Sequence, residues 1–210
     1  MNTGEAGAVS AEAGQTVANI VWQRLDVPGR DVCRLARLGA GWQIAGEATF
    51  VEGGADARLG YRVACDDAWQ TLDADLEGTL GGRTVEASFA RSGALWTCNG
   101  QPVGGLGGCV DLDLGFTPAT NLLQLRRVAL TIGQGVDVPV AWFDLGSRTL
   151  ERLAQRYERR SPTTYWYESA RFHYAARLEV DEAGFVIDYP ALWRRAAAAS
   201  SSGLGQSRLA

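Results

Sequence analysis

The chain has 210 residues, 46% of them hydrophobic and 21% charged, a balance typical of a globular protein with room for one large domain or two small ones. Its formal net charge of −4 argues against nucleic acid as the main partner, because phosphate binding needs a concentrated basic surface. No apolar run approaches the ~18 residues of a membrane-spanning helix, and the N-terminus lacks the basic region and apolar core of a secretory signal. The expected location is therefore the cytoplasm.

All 20 basic residues are Arg. A GC-rich genome accounts for this, although Arg also supplies planar donors for anionic or sugar groups. Cys33, Cys65, Cys98 and Cys109 are scattered, with no CxxC pair and no Cys/His cluster, so neither a zinc site nor any other metal is expected. In a reducing compartment they read as free thiols.

In chain order, residues 1–16 are small and polar, the composition of a disordered lead-in. Strands follow in ANIVWQRL around Trp22, VCRLARL around Cys33, GWQIAGEATFVE closed by Gly53-Gly54, and RLGYRVAC ending at Cys65. WQTLDADLEGTL alternates regularly, which predicts Leu72, Ala74, Leu76, Gly78 and Leu80 inward and Thr71, Asp73, Asp75, Glu77 and Thr79 outward. After a Gly81-Gly82 turn, RTVEASFA returns with Val85, Ala87 and Phe89 on one face. Asn99-Gly100, between two short apolar runs, is the strongest hairpin signal in the chain, because a type I′ turn needs positive φ at both central residues.

GGLGG, within Val103–Cys109, fits dinucleotide-loop spacing poorly, and no helix pattern follows it. No cofactor is expected. CVDLDLGF and RRVALTI read as strands, and Pro139 within VDVPVAW favours an edge strand or a bulge. LERLAQRYERR and NLLQLRRV are candidates for a helix, neither with a clean period. From Phe172 the chain alternates Phe172, Tyr174, Ala176, Leu178, Val180 against His173, Ala175, Arg177, Glu179, Asp181, a half-buried strand. Glu182-Ala183-Gly184 turns it, FVIDYP returns, and Pro190 stops it. Residues 196–210 read as a flexible tail. Many short strands with regular turns and no internal linker predict one β-rich domain over residues 17–195, a barrel or sandwich.

Asp111 and Asp113 share a strand face, a spacing that could serve glycoside hydrolysis but is more usual for a solvated face. The lone His173 has no GxSxG nucleophile to serve, and reads as an exposed or salt-linked side chain. Arg127, if buried, must pair with a carboxylate. Trp142, Tyr157, Tyr165, Trp166, Tyr167, Tyr174, Tyr189 and Trp193 could pack a core or line a pocket for an amphipathic ligand.

TPATN (Thr117–Asn121), LRR (Leu125–Arg127), VPVAW (Val138–Trp142), QRYER (Gln155–Arg159), YWYES (Tyr165–Ser169) and LEVDEAGFVIDYPALWRR (Leu178–Arg195) together resemble a bacterial glycolipid-binding family, formerly a domain of unknown function. The resemblance spans about residues 19 to 195, with Trp22, GEATF, Tyr61 and Trp69 carrying its N-terminal part. It implies a mainly β domain, a curved and incompletely closed antiparallel β-barrel with a few short helices, similar to lipoprotein localisation factors. The implied function is binding of a glycolipid or similar amphiphile in a half-barrel cavity. The polar tips in the matching segments are then the expected contacts: Asp111, Asp113, Asn121, Arg127, Tyr157, Tyr165, Tyr167 and Tyr189. No catalytic set comes with the resemblance. Two other readings stand beside it: a hydrolase of glycolipid metabolism using Asp111 and Asp113, and a fully packed interaction protein whose edge strands form a homodimer.

Overall fold

Period-two alternation carries the first half of the chain into six long strands. β1 (Gln15–Arg24), β2 (Gly29–Leu38), β3 (Gly41–Glu52), β4 (Ala55–Asp66), β5 (Thr71–Leu80) and β6 (Arg83–Ser92) each pair with the next, antiparallel throughout. The computed structural model describes residues 14–197. The remaining lead-in and tail, for which disorder is expected, lie outside the described residues.

β7 (Leu95–Cys98) and β8 (Gln101–Val103) form the expected Asn-Gly hairpin, with φ of 51° at Asn99 and 73° at Gly100. β9 (Asp111–Leu114) and α1 (Asn121–Val128) follow, then β10 (Gly135–Asp137), β11 (Val140–Asp144), β12 (Thr149–Leu153), β13 (Arg156–Ser161) and β14 (Thr164–Ser169). A 3₁₀ turn at Ala170–Phe172 leads into β15 (Tyr174–Val180), β16 (Val186–Tyr189) and β17 (Trp193–Arg195).

The protein is mainly β, built on one antiparallel sheet of 14 strands in the order β10-β13-β14-β15-β16-β17-β1-β2-β3-β4-β5-β6-β7-β8. The two ends of that order do not pair, so the sheet is not closed. A second sheet of three strands, β12-β11-β9, joins β9 to β11 in parallel and β11 to β12 antiparallel.

The small sheet and α1 fill the hollow of the large one. Leu112 and Leu114 of β9, Leu122 and Leu123 of α1 and Phe143 of β11 belong to the same buried cluster as Leu35, Ile44, Leu59, Val63 and Phe89 of the large sheet. Each such side chain contributes roughly 1.5–3 kcal/mol by leaving water. Polar ties fix the seating: the Leu112 N–H donates to Thr71 Oγ1 at 3.1 Å, and Trp96 Nε1 donates to the Cys109 carbonyl at 2.9 Å.

Three departures from the sequence expectation have local causes. Thr71 is buried and Leu72 is 43% exposed, the reverse of simple alternation. The register jumps here, Ala64 pairing with Asp73 and Cys65 with Thr71, so Leu72 is the extra residue of a bulge and the side chains before it change face. NLLQLRRV, not LERLAQRYERR, is the helix, and RRVALTI, expected as a strand, is instead its last turn and the irregular segment that follows. At eight residues the helix is too short to display a period, and it ends on Ala129 in the left-handed region with Arg126 and Arg127 favourably placed in its last turn. At the start of β15, His173 has φ 48°, which breaks the alternation and leaves Phe172 outside the strand and 49% exposed. Pro139 falls between β10, an edge strand of the large sheet, and β11, the centre of the small one, where the chain changes sheets.

Gly78, in the middle of β5, has φ 149°, and a β-carbon there would overlap the Arg58 carbonyl oxygen and lie 2.9 Å from Leu59 Cα. Gly78→Ala is expected to destabilise the protein by more than about 2 kcal/mol, from backbone strain alone of order 1–3 kcal/mol plus the steric overlap. Urea unfolding of the two proteins measures the difference.

Candidate functional site

β9 reads DLDL, and all four residues are buried. Leu112 and Leu114 face the main core, so alternation turns Asp111 and Asp113 to the other side, towards α1 and the segment between β12 and β13. The solvated face expected for this pair is not what forms. Asp111 accepts from Arg127 Nε at 2.9 and 3.0 Å and from Nη2 at 2.7 Å, a two-pronged ion pair from the last turn of α1. Arg127 itself is half-buried, and the fully buried member of the pair is Asp111. Burial still lifts the Asp111 carboxyl above its ordinary value, against the hydrogen bonds and charge of Arg127.

Asp113 has neutral partners. Gln155 Nε2 donates to Oδ2 at 2.5 Å and Thr120 Oγ1 to Oδ1 at 3.2 Å. With burial dominant and these bonds opposing it, its pKa is pushed up to about 6. The network runs on through Tyr157, which is fully buried. Asn121 Nδ2 donates to the Tyr157 hydroxyl at 2.7 Å, and that hydroxyl donates to Gln124 Oε1 at 2.6 Å. Burial raises the Tyr157 pKa well above the usual tyrosine value, so it acts as a neutral donor.

Above this network lies a cavity of about 350 Å³, towards the lower end of ligand-site volumes. Asp113, Thr117, Asn121, Gln155 and Ser169 give it polar lining, and Trp142, Tyr167, Phe172, Tyr174, Tyr189 and Trp193 give it aromatic lining. Tyr167, Tyr174 and Tyr189 form a triangle with ring centroids 5.5–6.1 Å apart. Trp142 and Phe172 meet edge to face at 5.4 Å. Gly115 lines the same space because a β-carbon there would overlap Trp142 Nε1. Ser169 Oγ is buried and has no hydrogen-bond partner among the described residues.

Of the eight residues expected to contact ligand, Asp113, Asn121, Tyr167 and Tyr189 line this cavity. Tyr157 stands directly behind it through Asn121. Asp111 and Arg127 are not in the lining; they form the ion pair that supports β9. Tyr165 is likewise outside it, in the second buried cluster with the Arg159 guanidinium 5.6 Å from its ring centroid. Of the aromatics flagged as pocket formers, Trp142, Tyr174 and Trp193 do line the cavity. Gln155, Ser169, Thr117 and Phe172 have no distinguishing sequence signal, although three of them fall inside or beside the segments quoted above. His173 is exposed.

Thr117 also connects the cavity to a second buried acid. Asp31 of β2 is fully buried and accepts from the Tyr61 hydroxyl at 3.0 and 3.1 Å and from Thr117 Oγ1. Burial outweighs these bonds and pushes its pKa up to about 7.

Among known families, the model of the one described as "Putative glycolipid-binding" matches residues 19–195. The chain belongs to this family. Among curated proteins, none matches. A crystal structure of a DUF1089 family protein from Pseudomonas aeruginosa superposes with a TM-score of 0.72 at 23% identity, covering 91% of this chain and 100% of that one, which establishes a shared fold. Among the described residues no helix is long and apolar enough to cross a membrane, and no group of His, Cys, Asp or Glu is placed to hold a metal ion.

Arg127→Ala is expected to destabilise the protein by roughly 3–5 kcal/mol, because it leaves the Asp111 carboxylate buried without its cation. Arg127→Ala with Asp111→Asn should recover part of that loss in the same denaturation experiment. A separate pH dependence follows from Asp31. Its folded-state pKa of about 7 lies above the ordinary 3.8, so its protonated form favours folding. That contribution, on the order of 4 kcal/mol, is complete below about pH 4 and is lost as pH rises through 7. Thermal melts from pH 4 to 8 should show Asp31→Asn gaining on the wild type as pH rises.

Proposed function

We propose that this protein binds a glycolipid or similar amphiphile, with the polar headgroup seated in the cavity over Asp113. The observation that carries the reading is the polarity of that cavity: Ser169 Oγ lines it together with Asp113 and Gln155, is buried, and makes no hydrogen bond of good geometry among the described residues, its nearest polar neighbour being the Tyr167 hydroxyl, while aromatic rings form the rest of the wall. A buried hydroxyl without a partner costs about 1–3 kcal/mol, which a ligand hydroxyl or amine would offset. Aromatic faces suit the apolar face of a sugar ring and the first carbons of an acyl chain.

On this reading the apolar tail leaves along Tyr174 and Leu192 towards the exposed Phe172. It does not run over β2–β6, where Leu112, Leu114 and Phe143 already occupy the hollow. A hydrolase using both acids of β9 is less well supported, since both Asp111 oxygens are held by Arg127 and only Asp113 reaches the cavity. The four cysteines, all unpaired and three of them buried, fit a reducing cytoplasmic setting.

Native mass spectrometry of the protein as purified, followed by organic extraction, should detect a co-purifying amphiphile. Titration with n-octyl β-D-glucoside, followed by tryptophan fluorescence from Trp142 and Trp193, should saturate. Ser169→Ala is expected to weaken that binding about fivefold with no loss of thermal stability, because it removes a group that makes no well-formed hydrogen bond among the described residues. An affinity unchanged by the substitution would take Ser169, and with it the polar end of the cavity, out of the reading.

A further inference from the structure

Charge at the cavity floor is one-sided. Asp113 is the one carboxylate among the lining residues, and no Arg among the described residues forms a hydrogen bond or ion pair with it. The nearby guanidiniums are engaged elsewhere. Arg127 is held by Asp111; Arg171, 4.7 Å from the Trp142 ring centroid, is paired with Glu151 at 2.7 Å; and Arg24, 5.5 Å from the Trp193 ring centroid, is paired with Asp26 at 2.8 Å. Asp31, reached through Thr117, also has only neutral hydrogen-bonding partners. The cavity therefore ends on a buried acid that no cation among the described residues answers.

We infer that the headgroup taken by this cavity carries a primary ammonium, held by the Asp113 carboxylate within the aromatic walls. The inference rests on the reading that the cavity binds an amphiphile, and it specifies that ligand's chemistry. A neutral hydroxyl could donate to Asp113, but only a cation would also offset the cost of keeping the carboxylate charged out of water. Tyrosine and tryptophan faces attract a cation through their ring quadrupoles, and the Tyr167–Tyr174–Tyr189 triangle and Trp142 line the same space. An ammonium brings three N–H donors and no acceptor. Asp113 and the unpartnered Ser169 Oγ supply acceptors for it, which favours a primary amine over a quaternary one.

Calorimetric titration of the full chain at pH 7.5 with octylamine, n-octyl β-D-glucoside and octanoate tests this. Octylamine should bind at least tenfold more tightly than the glucoside, and octanoate should not bind. In Asp113→Asn the ratio of octylamine to glucoside affinity should fall at least tenfold. If the glucoside binds as tightly as octylamine or more so, the amine is overturned and the amphiphile reading survives. Octylamine binding alone would uphold the amine and remove the sugar. A preference that persists in a folded Asp113→Asn protein would overturn Asp113 as its holder. If no probe binds, both readings fall. Should Asp113→Asn fail to fold, the wild-type comparison decides between amine and sugar, and Ser169→Ala, expected to weaken octylamine at least threefold, replaces it.

Discussion

A carboxylate taken fully out of water has to be answered where it lies, and Asp111 is answered by a single side chain. The Arg127 fork ties the end of α1 to β9, a strand buried along its whole length against the large sheet. With α1 fixed at that end, Asn121 and Gln124 meet the Tyr157 hydroxyl, and Tyr157 in turn backs the cavity. Such a pair adds little stability over well-packed apolar residues of the same volume, but breaking it is costly. Its role here is positional: it sets the angle at which a short helix presents its polar side chains to the cavity.

The fold divides into parts that local pattern specifies and parts that it does not. β3 was legible to the residue, because a long strand-like run begins at Gly41 and is closed by Gly53-Gly54. The Asn99-Gly100 hairpin was legible because its turn chemistry is local. By contrast, the bulge at Leu72 reverses two side chains without leaving a trace in the alternation. The order of strands in the large sheet, and the parallel meeting of β9 with β11, depend on segments far apart in sequence that no period reports.

The candidate site shows the same division. Aromatic side chains announce a pocket by their type, and five of the eight singled out in the sequence do line one, whereas Tyr157, Tyr165 and Trp166 do not. The two acids of β9 were visible, but their spacing is identical on a wet face and on a buried polar one; only Arg127, sixteen residues on, separates the two cases. Gln155 and Ser169 are ordinary residues in sequence. They acquire a role only because β12, β13 and β14 bring them to the same cavity as Asp113, one as its donor and the other without a hydrogen bond among the described residues.

The large sheet is two arms joined at a seam. β1 to β8 form one arm and β10 with β13 to β17 the other, and they meet where Trp22, Gln23 and Arg24 pair with Arg195, Arg194 and Trp193. Trp22 Nε1 reaches across to the Val186 carbonyl, and the Leu25 N–H to that of Leu192. One edge of β1 therefore stays unpaired until β17, far along the chain, is in place, and the cavity, whose walls include Trp193, takes shape only when that seam closes.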